Sequence, residues 1–257
     1  MPRAFQVENI TCRFGELAAV DDVSLEISEG ERVALIGPSG SGKTTLLRTL
    51  NTMRAPVSGT VSLFGDSVLQ FGARDLRKLR SRIAFIPQHL GLVPNISVLQ
   101  NVILGRGGKR STLRSLRDMI FPSKEDVREI HEILDRVGIE EKLYARTDQL
   151  SGGQQQRVAI ARALFQKPEA ILADEPVSAV DPARARDTVQ LLSTLSKEEN
   201  FTLVVSLHNL ELARELFPRL VGLRSGKIVV DAAPETIPES DMKALYELTE
   251  SEMMTDA

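Results

Sequence analysis

Two hydrophobic rhythms run through the chain. Short β-branched runs at residues 5–11, 23–27, 32–36, 60–63, 83–86, 170–174, 203–206 and 227–231 have the composition and length of strands. In 23–27 the apolar positions Val23, Leu25 and Ile27 alternate with polar ones, which predicts an antiparallel sheet with one solvated face. Runs 32–36 and 170–174 are almost unbroken in hydrophobicity, as in strands buried on both faces of a parallel sheet, and are expected to be central. A helical period follows Gly42 and returns over 124–137, 153–165 and 182–195, each opened by Gly, Ser, Asp or Pro. Between Val98 and Leu150 the strand signal almost vanishes, and helical segments are separated by Gly105–Gly108 and Phe121–Pro122. The pattern predicts a mixed α/β core, an antiparallel β subdomain and an inserted helical subdomain. The expected partition is 1–97, 98–165, 166–235 and a tail at 236–257, all within one domain.

The length of 257 residues agrees with one large domain or a core with a subdomain. With 42% hydrophobic and 26% charged residues the chain can bury a core. A net charge of −3 supplies no global field for nucleic acid, and with Trp 0 and Tyr 2 there is little to stack bases on. One cysteine, Cys12, excludes an internal disulfide and makes the cytosol the default compartment. No apolar run approaches the roughly 18 residues of a spanning helix. A basic stretch at 105–124 holds Arg106, Lys109, Arg110, Arg114, Arg117 and Lys124 against Asp118. It reads either as a solvated helix face or as a contact for lipid head groups or a partner protein. The segment from Ala232 onward is acidic, with seven carboxylates against Lys243.

Gly37, Pro38, Ser39, Gly40, Ser41, Gly42, Lys43 and Thr44 match the phosphate-loop pattern between a strand and a helix, with Thr45 next in line. Glycines let successive N–H groups turn inward as an anion nest at a helix N-terminus. Lys43 is placed to reach β- and γ-phosphates, and the Thr44 hydroxyl to ligate Mg²⁺. A second acidic element follows at the end of the run 170–174, where Asp174 and Glu175 stand at the sheet edge that binds ligands in open α/β folds. There Asp174 can hold Mg²⁺ and Glu175 can orient or deprotonate a water.

Leu150, Ser151, Gly152, Gly153 and Gln154 resemble the signature motif of the ATP-binding cassette (ABC) ATPases, at a helix start suited to an anion. The resemblance covers almost the whole chain and implies a P-loop NTPase fold of ABC type. It also implies a head-to-tail homodimer in which the signature of one protomer caps the γ-phosphate held by the other. Phe14 resembles the aromatic that stacks on adenine, with a core phenylalanine as the alternative. Gln88 resembles the glutamine joining the metal site to the transmembrane partner, and His208 the switch histidine that hydrogen-bonds the γ-phosphate. Ser178, Ala179, Val180 and Asp181 resemble the dimer-contact loop, with Val180 where leucine is usual. His89 and His131 are assigned no metal.

Three classes compete within the family: an importer subunit, an exporter subunit and a soluble cassette acting on DNA or ribosomes. No long coiled coil, second cassette or fused spanning helix is present in the sequence, which favours the importer. The stretches 144–164, 171–176, 204–208 and 210–214 are most similar to ATPase subunits of bacterial phosphonate importers. Most importers instead have Thr before the histidine and Asp after it, whereas this chain has Ser206, Leu207, His208 and Asn209. The resemblance implies ATP and Mg²⁺ as cofactors, permease subunits as partners, and an extracytoplasmic solute-binding protein acting indirectly. It places the chain at the cytoplasmic face of the inner membrane, without nucleic acid. The alternatives are an importer for another small solute, such as an amino acid or phosphate, or a stand-alone exporter cassette.

Overall fold

The computed structural model describes residues 2–109, 112–177 and 182–246. The chain opens with the long hairpin β1 (Arg3–Phe14) and β2 (Leu17–Ser28), then β3 (Arg32–Ile36) and α1 (Lys43–Leu50). Next come β4 (Ser58–Leu63), β5 (Asp66–Ser67), α2 (Ala73–Arg80) and β6 (Ile83–Ile86). Four helices follow: α3 (Val98–Ile103), α4 (Thr112–Ile120), α5 (Lys124–Arg136) and α6 (Gly152–Phe165). The chain then returns through β7 (Ala170–Asp174), α7 (Pro182–Glu199), β8 (Thr202–Ser206) and α8 (Leu210–Leu216). It ends in β9 (Arg219–Arg224), β10 (Lys227–Ala232) and α9 (Glu239–Tyr246).

Among the described residues the strands form two sheets. One is antiparallel, in the order β2-β1-β4-β5, and the other is mixed, in the order β10-β9-β3-β8-β7-β6. The alternation in β2 does what it predicts: Val23, Leu25 and Ile27 are buried and their neighbours face out. β3 and β7 are interior strands with parallel neighbours on both sides. Their unbroken apolar runs supply two cores at once. Val33 and Leu35 of β3, with Ala170 and Leu172 of β7, pack toward the antiparallel sheet and α1. Ala34, Ile36, Ile171 and Ala173 pack into the second core, shared with α3, α5, α6 and α7. Strand period two makes this division automatic.

Four elements carry too weak a pattern to be read from sequence. α2, α8 and α9 are seven or eight residues long, and unlike the equally short α1 they have no phosphate-loop pattern to mark their start. β9 begins after Pro218 and contains Gly222, a residue that weakens any strand reading. Its reason is packing: a Cβ on Gly222 would lie 3.0 Å from Val230 Cβ and 3.2 Å from a methyl carbon of Leu245.

The segment between β6 and β7 is helical and packs on itself. Its basic stretch is divided: Arg106 is enclosed, whereas Lys109, Arg114, Arg117 and Lys124 are exposed. The Arg106 guanidinium lies 3.7 Å from the Phe165 ring centre and bonds the Phe165 carbonyl at 2.7 Å, Asp126 at 3.1 Å and Glu129 at 2.5 Å. Lys109 donates to the Gln166 carbonyl at 2.7 Å, at the C-terminal end of α6. Arg106 is therefore not part of a solvated face, while Lys109 remains exposed as expected.

Candidate functional site

Strand register brings the chemistry to one edge. β3, β7 and β8 run parallel, with Leu35 opposite Ser206 and Ser206 opposite Asp174. The segments leaving their carboxyl ends, 37–44, 174–175 and 206–208, therefore converge where parallel α/β sheets bind ligands.

The first segment curls as the phosphate-loop pattern requires. Gly37 has φ 139° and lies so close to β9 that a Cβ would be 2.1 Å from the Leu223 carbonyl oxygen. Gly42, at φ 107°, would meet the Ala19 carbonyl oxygen at 2.3 Å. Ser39 and Gly40 are exposed at the tip, while Ser41, Lys43 and Thr45 are buried. Gly42 caps α1 without a side chain, so the first N–H groups of that helix have no side-chain acceptor and are suited to an anion.

The Lys43 ammonium is folded back onto the loop. It donates to the carbonyls of Gly37 at 2.9 Å and Pro38 at 2.8 Å, and to Ser41 Oγ at 3.4 Å. Burial holds its pKa below the ordinary lysine value, opposed by the carboxylates of Glu175 and Asp174. A buried cation whose donors rest on neutral carbonyls is poised for a stronger acceptor.

Asp174 is nearly fully buried and doubly bonded. Its Oδ1 accepts from Thr44 Oγ1 at 2.9 Å and from Ser206 Oγ at 2.9 Å. Ser206 Oγ in turn accepts from the Glu175 N–H at 2.8 Å. The sequence gives no sign that Ser206 belongs to the site beyond its place at the end of an apolar run. Its role appears only when β8 lies beside β7.

Glu175 turns out of the strand with φ 47°, the left-handed region that non-glycine residues enter at an energetic cost. The turn puts its carboxylate between two side chains. Gln88 Nε2 donates to Oε2 at 3.1 Å, and His208 Nε2 contacts Oε1. Gln88 leaves β6, Glu175 leaves β7 and His208 leaves β8, so three loops meet on one carboxylate. Thr44, Asp174, Ser206, Glu175, Gln88 and His208 thus form one connected hydrogen-bonded set.

Phe14 is half exposed and does not belong to the core. One face of its ring carries the Arg54 guanidinium, 3.6 Å from the ring centre. Ser151 caps α6: its Oγ accepts from Gln154 N–H at 3.4 Å, and the Gln154 side chain accepts from Ser151 N–H at 3.0 Å. Ser151, Gly153 and Gln154 line an open hollow of about 270 Å³ with Arg157, Arg184 and Asp187. Ser151 and Gly152 are exposed. Among the described residues, no hydrogen bond joins 151–154 to the phosphate loop of the same chain. Asp181 and its neighbours Ser178, Ala179 and Val180 lie outside the described residues.

Known proteins resemble this chain in sequence and fold. The sequence profile described as ABC transporter matches residues 20–178. The chain is 43% identical over 243 residues to the phosphonates import ATP-binding protein PhnC of Pseudomonas putida, covering 95% of this chain and 90% of that protein. It is 44% identical over 225 residues to the phosphonates import ATP-binding protein PhnC 3 of Halalkalibacterium halodurans, covering 88% and 86%. A dimeric bacterial ABC transporter cassette matches with a TM-score of 0.78 and 33% identity over 91% of this chain and all 100% of that one. A dimeric cassette in a post-hydrolysis state, bound to ADP and Pi, matches with a TM-score of 0.74 and 32% identity over 91% and 100%.

Proposed function

The chain belongs to the ABC transporter family, and from this premise we propose that it binds and hydrolyses ATP to power an importer for a phosphonate or related phosphorus oxyanion. The observation that carries the chemical half of this reading is the convergence of Gln88, Ser206 and His208 on the Asp174–Glu175 pair beside the phosphate loop.

In this reading the amides of 39–42 and the N-terminus of α1 receive the phosphates, and Lys43 swings from the Gly37 and Pro38 carbonyls to the β- and γ-phosphate oxygens. Phe14, backed by Arg54, offers its remaining ring face to adenine. The donor set fits Mg²⁺: a hydroxyl, Thr44, and a carboxylate, Asp174, already meet at 2.9 Å, and Gln88 can add an amide oxygen. Bound there, the ion would neutralise phosphate charge as the γ-phosphoryl departs. Glu175 orients the attacking water and takes its proton, a role that requires a carboxylate held without a permanent cation. Gln88 and His208 hold its two oxygens until the γ-phosphate arrives, when His208 exchanges Glu175 for phosphate. Exposed Ser151 and the start of α6 are placed to cap a nucleotide held by the partner protomer, so each site is completed by a homodimer.

Among the described residues no helix is long and apolar enough to cross a membrane. The chain then works from the cytoplasmic face of the inner membrane through permease subunits, which receive substrate from an extracytoplasmic solute-binding protein. The importer reading is supported by the 43% and 44% identical relatives in two bacteria. Its test is growth of a deletion strain, lacking any second phosphonate importer, on a phosphonate as sole phosphorus source. Growth is expected to fail and to be restored by the wild-type gene but not by Glu175→Gln. Unchanged phosphonate uptake removes the substrate claim and leaves an importer for another small solute.

A further inference from the structure

The C-terminal helix reaches the phosphate loop. Gly37, the first residue of the loop, donates its N–H to the hydroxyl of Tyr246 at 3.2 Å, a bond that spans 209 residues of sequence. The carbonyl of the same Gly37 accepts from Lys43 Nζ at 2.9 Å. One residue therefore carries both the tether to α9 and the resting place of the cation that faces the phosphates.

Gly37 has little freedom to hold this orientation by itself. It has no side chain to anchor it, since a Cβ there would lie 2.1 Å from the Leu223 carbonyl oxygen, and its φ of 139° is a region that only glycine enters freely. α9 in turn is fixed to β9 and its hairpin. Met242 and Leu245 are buried, Leu245 fills the space over Gly222, and the Arg224 guanidinium donates to the Ala244 carbonyl. Tyr246 is thus the far end of a brace running from β9 through α9 back to the start of the phosphate loop.

We propose that Tyr246 is a positioning residue for nucleotide binding: its hydroxyl fixes the Gly37 peptide, so docking of α9 sets the affinity of the phosphate loop. The inference rests on the reading of residues 37–44 as the nucleotide site. Burial raises the phenol pKa, with the Gly37 N–H opposing that rise, so the group stays neutral across the physiological range. Tyr246 touches neither the sugar nor the phosphates in this scheme and acts only through Gly37.

The test uses the full chain and two variants, with ATP affinity measured by titration in the presence of Mg²⁺. Tyr246→Phe keeps the ring and its packing but removes the acceptor, leaving a buried N–H unpaired. It is expected to weaken ATP binding about fivefold, the worth of one hydrogen bond. Hydrogen exchange should quicken at the amides of Gly37 and 39–42 and stay unchanged in β1 and β2. Lys43→Ala is the control for the site itself. If Lys43→Ala loses affinity and Tyr246→Phe binds ATP as tightly as wild type, the brace is wrong and the nucleotide site stands. If Lys43→Ala also binds normally, the reading of the site fails first. A Tyr246→Phe protein whose exchange quickens uniformly, in step with a lowered melting midpoint, reveals a merely structural tyrosine and also overturns the proposal.

Discussion

Ser206 shows how much one hydroxyl can organise. It donates to Asp174 and accepts from the Glu175 N–H, so it fixes the spacing of two adjacent acids for which different roles are proposed. Ser206→Ala leaves a backbone donor unpaired and Asp174 with one fewer partner. The expected loss is about 1–3 kcal/mol of stability in urea unfolding, together with slower ATP turnover. Glu175→Gln separates the roles further, because an amide fills the same space but cannot take a proton. It should bind ATP while hydrolysis falls at least about 10²-fold. Turnover at the wild-type rate in Glu175→Gln would sink the assignment of Glu175 as base.

At the scale of elements, Arg106 ties together three parts of the helical segment between β6 and β7. The guanidinium joins the loop after α3 to α5 through Asp126 and Glu129, and to the end of α6 through the Phe165 carbonyl and ring. Its side chain is only 15% exposed, and the Asp126 side chain 10%. Removing the guanidinium takes a charge-assisted hydrogen bond from each acid, although Lys167 still pairs with Glu129 at 2.8 Å, and should cost about 1.5–3 kcal/mol. Arg106→Ala should therefore unfold at clearly lower urea concentration than wild type, and Arg106→Lys should recover only part, since lysine lacks the planar fork. By contrast Arg128, on α5 and 84% exposed, pairs with Glu132 one turn along, and Arg128→Ala should change stability by less than about 0.5 kcal/mol. Equal effects of the two alanine variants would contradict the brace role of Arg106.

For the whole molecule the open question is what completes the site. The phosphate loop and the acid pair face one way, while exposed Ser151 opens its own hollow with Arg157 and Arg184. Two copies arranged head to tail would satisfy both surfaces. Sedimentation of Glu175→Gln, which should trap ATP, is expected to show a dimer with ATP and a monomer without it. Ser151→Arg should lower ATPase activity and weaken that dimer, since a bulky cation replaces the small cap. A protein that remains monomeric at saturating ATP, even with its permeases present, argues against the sandwich. Partner subunits could otherwise supply the association energy that two weakly attracting protomers lack.

The local backbone shape of the candidate phosphate loop is legible in the linear chain. Residues 37–44 announce a phosphate loop because curling, anion binding and helix initiation are properties of adjacent residues. The buried strands β3 and β7 announce themselves because burial on both faces demands an unbroken apolar run. The hairpin strand β2 is legible through its alternation. Contacts decided by pairing were not legible. Ser206 joins Asp174 only through the β7–β8 register, and Gln88 meets Glu175 across 87 residues. Arg106 looked like surface charge until α5 and α6 closed around it. β9 and α9 lack any signal of their own, since Gly222 weakens the strand pattern and no motif marks the start of the short helix, yet they bring Tyr246 to Gly37. Sequence dictates what each segment can form by itself, because those energies are local. Which side chains then share a hydrogen bond depends on burial and strand order, which only the folded chain determines.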